Sequence, residues 1–440
     1  QAAGLARMRA PQTSPRARSH RRAPAARSAF ASAPVACVFV CSFSFSAPRL
    51  GTGPAAVGRP LAGARGSPPG PRVATVSASG PAPAMLRQFR HGAVGFASRL
   101  HACPPRHLGA AVAGLATGTT SAAAAPLHLE TPLVHSQSLS EHLGAKVYLK
   151  LDCLQPPGSF KIRGIGETVR TAVAGGAKHI VSSSGGNAGL AAAYAAQQLE
   201  VPCTVVLPST TPMDVHPRLR AFGAEVIVHG GVWDEADARA RELVEERQGG
   251  YVHPFDQATT WSGHATIVEE LSRQLPRAPD AIVTCVGGGG LLMGILEGIQ
   301  AMGWSESTRV IASETEGASC LATSLAAGEV VTLPAITSIA KSLGALTVSR
   351  AVFERCREVG PERFHSFVTS DAAAVAACVR LSSEHRLLVE PACGAALAAV
   401  TERCAALQGC ELVVVEVCGG AITNLGMMSA WARDFGVGEL

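Results

Sequence analysis

From about residue 126 onward the chain alternates between short unbroken apolar runs and longer mixed stretches. The runs at 146–151 (KVYLKL), 179–183, 203–208 (CTVVLP), 225–229, 281–286 (AIVTCV), 309–314 (RVIASE) and 412–417 (LVVVEV) predict strands. With their apolar residues consecutive rather than at every second position, they read as strands buried on both faces, the habit of parallel sheets covered by helices. The small-residue stretch 188–199 and the charged, amphipathic stretch 233–247 predict helices between them. The alternation predicts a doubly wound α/β fold in two lobes, whose ligands lie beyond the carboxyl ends of the strands.

The first 125 residues break this pattern. They are rich in Ala, Gly, Pro, Arg and Ser and show no sustained hydrophobic period, so we expect disorder. Of the 38 Lys and Arg, 15 are Arg that precede Glu130, where no Asp, Glu or Lys occurs; the remaining 23 face all 33 acidic residues. The net charge of +5 therefore belongs to the leading segment, while the remainder is acidic and not built for nucleic acid. Three readings of the segment stand: an organellar transit peptide, with that character at 85–99; a secretory signal at 35–45, interrupted by Ser and Cys; and a gene-model extension, since the chain starts at Gln1. The last is preferred, which makes the expected location cytoplasmic, or mitochondrial if the transit reading holds. No apolar run approaches the roughly 18 residues of a spanning helix, so no membrane partner is expected. The 13 Cys are scattered, without a C-x-x-C pair after residue 150, and read as reduced and mostly buried; the 14 His lack metal-ligand spacing. Arg163, Glu167 and Lys178 are expected as solvated charges.

Three loops carry candidate chemistry. In Pro156-Pro157-Gly158-Ser159-Phe160-Lys161 a rigid turn precedes a Lys that opens a helix. There the helix dipole disfavours a positive charge, which suits an amine nucleophile; a solvated surface Lys is the plain alternative. In Ser183-Ser184-Gly185-Gly186-Asn187-Ala188-Gly189 the amides converge at a helix start, fit for a carboxylate or a phosphate, or simply for an Asn-capped turn. Gly287-Gly288-Gly289-Gly290-Leu291 follows a strand and suits a phosphate, or close helix–sheet packing. It lacks the spacing of a dinucleotide fingerprint and the Lys of a Walker loop.

Together, and in this order, PPGSFK, SSSGGNAG and GGGGL resemble the fold-type-II pyridoxal 5′-phosphate enzymes, and within them the L-serine dehydratase/L-threonine deaminase group. LETPLVHS (129–136), WDEA (233–236), PFD (254–256), TSIAKSLGA (337–345), LVEPACGAALAAV (388–400) and VCGG (417–420) extend the resemblance over nearly all of 126–440. It implies a large coenzyme-binding lobe of 126–168 and 256–440, a small mobile lobe of 169–255, and the coenzyme in the cleft between them. It also implies that Lys161 is the Schiff-base lysine and general base, and that Phe160 packs beside the coenzyme ring. Ser184, Gly185 and Asn187 would line the substrate carboxylate, with Asn187 also at the ring hydroxyl. Gly287, Gly288, Gly289, Gly290 and Leu291 would hold the phosphate, and Cys418 would face the pyridine nitrogen. A monovalent cation, K+, would map to Glu314, Ala318, Cys320, Leu343 and Ala345. A homodimer is implied too.

The activity implied is β-elimination of a small amino acid: L-serine to pyruvate and ammonia, L-threonine to 2-oxobutanoate and ammonia. A neutral thiol at the ring nitrogen suits it, because a weak electron sink favours prompt loss of the leaving group. Gly185 lacks the side chain a racemase would need on the opposite face. Other departures bear on rate: the missing methyl at 185 predicts a looser turn and slower catalysis, Pro212 and Pro217 interrupt a stretch usually helical, and Ala421-Ile422 follow VCGG where a polar pair is usual. The alternative is a coenzyme-binding paralogue with weak or no catalysis and a regulatory role.

Overall fold

The chain is described by a computed structural model over residues 125–438. The expectations for the leading segment, residue 125 apart, lie outside the described residues. Ten strands are described: β1 (Leu133–His135), β2 (Lys146–Lys150), β3 (Ile180–Ser182), β4 (Cys203–Leu207), β5 (Glu225–Val228), β6 (Gly250–Val252), β7 (Ala281–Cys285), β8 (Arg309–Thr315), β9 (Phe364–Thr369) and β10 (Leu412–Glu416). They form a six-stranded sheet of order β1-β2-β10-β7-β8-β9 and a four-stranded sheet of order β5-β4-β3-β6.

All pairings are parallel except β1 with β2, so the larger sheet carries one antiparallel edge. Every residue of β7 and β10 is buried, which is why both are mainly apolar and do not alternate, with Thr284 and Glu416 as the polar exceptions. Strand β9 lies at the sheet edge with only its end residues, Phe364 and Thr369, buried, so FHSFVT carries no unbroken apolar run. Among the described residues no helix is long and apolar enough to cross a membrane. The ten described cysteines are all free.

Three helices pack tightly on one another, Lys161–Ala174, Ala258–Gln274 and Gly290–Ala301, the first of them also against β6 of the smaller sheet. Glycine permits the approach. A Cβ on Gly263 would stand 2.3 Å from the Arg163 carbonyl, and one on Gly294 would stand 2.3 Å from His264 Cβ.

Arg163 corrects one expectation, because it is wholly buried rather than solvated. Its guanidinium donates to Asp152 (Nε to Oδ2, 2.6 Å) and to Glu270 (Nη1 to Oε1, 2.6 Å), and Lys150 Nζ lies 2.5 Å from the other Glu270 oxygen. Two cations and two carboxylates thus neutralise one another, with Thr131 Oγ donating to Asp152. A buried charge is tolerated only when paired in this way. The cluster fastens β2 and the turn after it to the first turn of the Lys161 helix. Glu167 and Lys178 are partly or fully open to solvent, as expected.

Candidate active site

The Pro-Pro-Gly turn is held by backbone hydrogen bonds against the end of β10. Phe160 N donates to Cys418 O (3.0 Å), Gly420 N to Gly158 O (3.1 Å), and Ser159 forms a bridge with Gly419. This fixes Lys161, the first residue of its helix, beside Cys418. Lys161 Nζ donates to Pro254 O at 2.8 Å, in the segment leaving β6 of the smaller sheet. Its amine is pushed down to about 8, with burial the largest cause. The lowered amine expected from the helix dipole is thus present, but enclosure produces it; nearby Cys285, Glu390 and Cys418 act in the opposite direction. The Phe160 ring lies 5.1 Å from Nζ and packs on the buried His264 ring, centroids 5.0 Å apart.

Cys418 is buried, and Cys285 Sγ donates to its sulfur at 3.6 Å. Contacts with Cys285 and Cys393, and then burial, push the Cys418 thiol well above its ordinary range, so it is neutral.

The glycine turn lies at the start of the helix Gly290–Ala301. Among the described residues, the amides of Gly287, Gly288 and Gly289 donate to no protein acceptor. Gly288 and Gly289 are buried, and unpaired donors at a helix start are suited to an anion. Gly289 has φ +97°, and a Cβ on Gly288 would stand 2.4 Å from the Phe255 ring; neither position admits a side chain without displacement. Leu291 is buried in the first turn of the helix.

The second turn has the same character. The amides of Ser184 and Gly185 also donate to no protein acceptor among the described residues, and Gly186 N reaches Ser184 Oγ at 3.4 Å. Asn187 opens the helix Asn187–Gln198; its Nδ2 donates to Glu390 Oε1 (2.9 Å) and its Oδ1 accepts from Ala421 N (3.0 Å). Ala421 thus supplies its backbone where a polar side chain is usual. The place of the methyl missing at Gly185 is already filled: a Cβ there would stand 2.7 Å from Thr211 Cγ2 and 2.9 Å from Leu207 Cδ2. The turn is therefore packed on that side, contrary to the expected looseness. Pro217 falls in the first turn of the helix Val215–Ala221, where its missing amide costs no helical bond.

Glu390 is the residue that sequence reasoning passed over. It accepts from Asn187 and, on its other oxygen, from Ser342 Oγ at 2.9 Å, and burial pushes it up to about 7. The signal was present as a single acid in the apolar stretch LVEP, directly before the proline that opens the buried helix Pro391–Thr401. Cys285, whose thiol touches Cys418, was passed over as packing.

The residues considered for a cation lie behind the glycine turn. Leu343 packs its backbone where a Cβ of Gly287 would lie, and Cys320 Sγ donates to Gly287 O at 3.5 Å. Glu314 accepts from the amides of Leu321 (2.9 Å) and Ala322 (2.8 Å) and is pushed up to about 7 by burial. Ala318 N and Ala345 N are engaged locally, with Thr315 O and Leu343 O. Among the described residues no group of three or more His, Cys, Asp or Glu is arranged to hold a metal.

The Lys161 amine, a neutral thiol and two sets of unpaired amides form a donor set suited to an aldehyde coenzyme with an anionic tail, and comparison with known proteins agrees. The profile described as "Pyridoxal-phosphate dependent enzyme" matches residues 124–419. The chain is 47% identical to the human protein named "Serine dehydratase-like", over 71% of this chain and 96% of that one. It is 46% identical to the cattle protein named "L-serine dehydratase/L-threonine deaminase", over 72% and 98%. Among solved structures, a fungal L-serine ammonia-lyase from Rhizomucor miehei superposes with a TM-score of 0.66 at 37% identity, covering 70% of this chain and 99% of that one. The chain belongs to the pyridoxal-phosphate-dependent enzyme family.

Proposed function

We propose that this protein is an L-serine/L-threonine ammonia-lyase that converts L-serine to pyruvate and ammonia, and L-threonine to 2-oxobutanoate and ammonia. The observation that carries the reading is a buried amine whose neighbours touch both turns: Lys161 Nζ donates to Pro254 O, next to the Phe255 ring that packs on Gly288, and Glu390, close to the amine, holds Asn187. Lys161 would hold the coenzyme aldehyde, with Phe160 beside it. The amides of Gly287, Gly288, Gly289, Gly290 and Leu291 would hold its phosphate, and Cys418 would meet its ring nitrogen. When bound, the coenzyme supplies the electron sink that makes an α-proton removable.

The chain does the rest. Once the amino group of the substrate has displaced it from the coenzyme aldehyde, an amine pushed down to about 8 is a competent base near neutral pH, and Lys161 Nζ would take the α-proton. Ser184 and Gly185, by their unpaired amides, and Asn187 would receive the substrate carboxylate. Glu390 holds the Asn187 side chain from one end and the Ala421 amide holds it from the other. Cys418 stays protonated and contributes no counter-charge to the ring nitrogen, which favours early departure of the β-hydroxyl over a long-lived carbanion.

The same reading takes 126–168 and 256–440 as the coenzyme-holding lobe and 169–255 as the moving one, and assembles the chain as a homodimer. It places K+ against Glu314 with Ala318, Cys320, Leu343 and Ala345. A buried carboxylate that no Lys, Arg or His among the described residues pairs with supports that placement. The free cysteines fit a reducing compartment such as the cytoplasm.

The test is direct. Purified holoprotein should release pyruvate from L-serine, and Lys161→Ala should lose both the bound coenzyme's colour and the activity. A coloured wild-type protein that releases no oxo acid from either substrate would overturn the reading.

A further inference from the structure

The substrate-carboxylate turn has two ends. Asn187 fixes one, through Glu390 and Ala421. The other end is Ser183, wholly buried and one residue past β3. Its hydroxyl donates to Asp237 Oδ1 at 2.7 Å. Tyr251, on β6, donates its hydroxyl to the same oxygen and lies 3.4 Å from the Ser183 hydroxyl. Arg241, one turn along the helix Trp233–Arg247, donates Nε to Asp237 Oδ2 at 2.8 Å and lays its guanidinium over the Tyr251 ring, 4.3 Å from the centroid. One carboxylate therefore gathers three elements of the smaller sheet at the point where the chain enters the turn.

We propose that Asp237 is a positioning residue for the amino-acid substrate, acting through Ser183 to hold the Ser184–Gly185–Gly186 amides in one arrangement. The inference rests on the assignment of that turn to the substrate carboxylate. Its physical basis is the pair of glycines between the two anchors. Thr211 and Leu207 close one side of Gly185, but neither glycine has a side chain of its own to fix the backbone between Ser184 and Asn187, so its arrangement depends on both ends being held. With one end released, ordering the turn falls to the substrate, and affinity drops while chemistry at the α-carbon does not.

The experiment uses the holoenzyme. Asp237→Ala and Ser183→Ala should each raise the KM for L-serine about tenfold, as loss of a hydrogen bond to a charged group predicts. Turnover number and visible coenzyme absorbance should stay near wild type. The Kd for L-alanine, which has no leaving group, read from the coenzyme spectrum, should rise in parallel. Asp237→Asn keeps an oxygen for both hydroxyls and should recover most of the affinity. Ser183→Ala leaves Asp237 its bonds with Tyr251 and Arg241, so it reports even if Asp237→Ala does not fold. The proposal is overturned if KM and Kd are unchanged in Ser183→Ala, or if the loss falls on turnover and coenzyme content instead. An inactive wild type would instead count against the assigned reaction, while the L-alanine measurement would still decide the role of Asp237.

Discussion

The buried charge cluster makes the most demanding prediction about stability. Asp152→Ala removes two bonds from Arg163, Nε to Oδ2 at 2.6 Å and Nη2 to Oδ1 at 2.7 Å, and one from Thr131 Oγ at 2.7 Å. It leaves Arg163 and Lys150 facing Glu270 alone, a net positive charge at positions with no solvent exposure. Breaking one side of such a buried pair costs about 3–5 kcal/mol. That is a large share of the roughly 5–15 kcal/mol by which domains are stable. Equilibrium urea denaturation, followed by tryptophan fluorescence, should show the loss as a lower midpoint with an unchanged slope. The matching surface control is Arg239→Ala, whose partners Glu242 and Glu246 are exposed and which should change little. Asp152→Ala with Arg163→Met restores neutrality and should be less damaging than the sum of the two single changes. If Asp152→Ala is as mild as the control, or the double variant is simply additive, the cluster does not hold this region together and the reasoning fails.

Two further expectations concern the site. Coenzyme incorporation needs the unprotonated Lys161 amine, so its rate into apoprotein should climb with pH and half-rise near 8 rather than at the ordinary 10.5. The growth of visible absorbance measures it, and a half-rise above about 10 would show an amine that burial has not perturbed. Gly185→Ala should lower kcat/KM for L-serine, because the new methyl meets Thr211 Cγ2 at 2.7 Å, and adding Thr211→Ser should recover part of the loss; a faster single variant would refute this.

What could be read from the sequence followed what the sequence encodes locally. The helix at 233–247 was legible to the residue, since its charged and small positions alternate with a 3.6 period. The buried strands were legible because each holds consecutive apolar residues, such as VVL in β4, AIV in β7 and LVVV in β10. Strands β1 and β6 (LVH and GYV) are short and, unlike β3, are not followed by an unbroken Ser/Gly run that marks a strand end, and β9 is an edge strand buried only at its ends. The three loops were visible because Gly, Ser and Lys cluster there. Arg163, Glu390 and Asp237 were not, since what each does depends in part on a distant partner, Glu270, Asn187 and Ser183, at 107, 203 and 54 residues along the chain. A charged residue on a helix looks solvated until the fold shows which carboxylate it meets.

The electrostatics of the site follow from that separation of charges. The fixed charges of Arg163, Lys150, Asp152 and Glu270 balance among themselves, two residues along the helix from Lys161. Burial then acts on the remaining groups and pulls each toward neutrality: Lys161 down to about 8, Glu390 up to about 7, the Cys418 thiol well above its usual range. The phosphate of the coenzyme and the carboxylate of the substrate would therefore meet backbone amides at two helix starts, not side-chain cations. Amide dipoles hold an anion without a counter-ion that could migrate or be neutralised. On the proposed reading, Lys161, lowered by the same burial, is the base that would receive the α-proton.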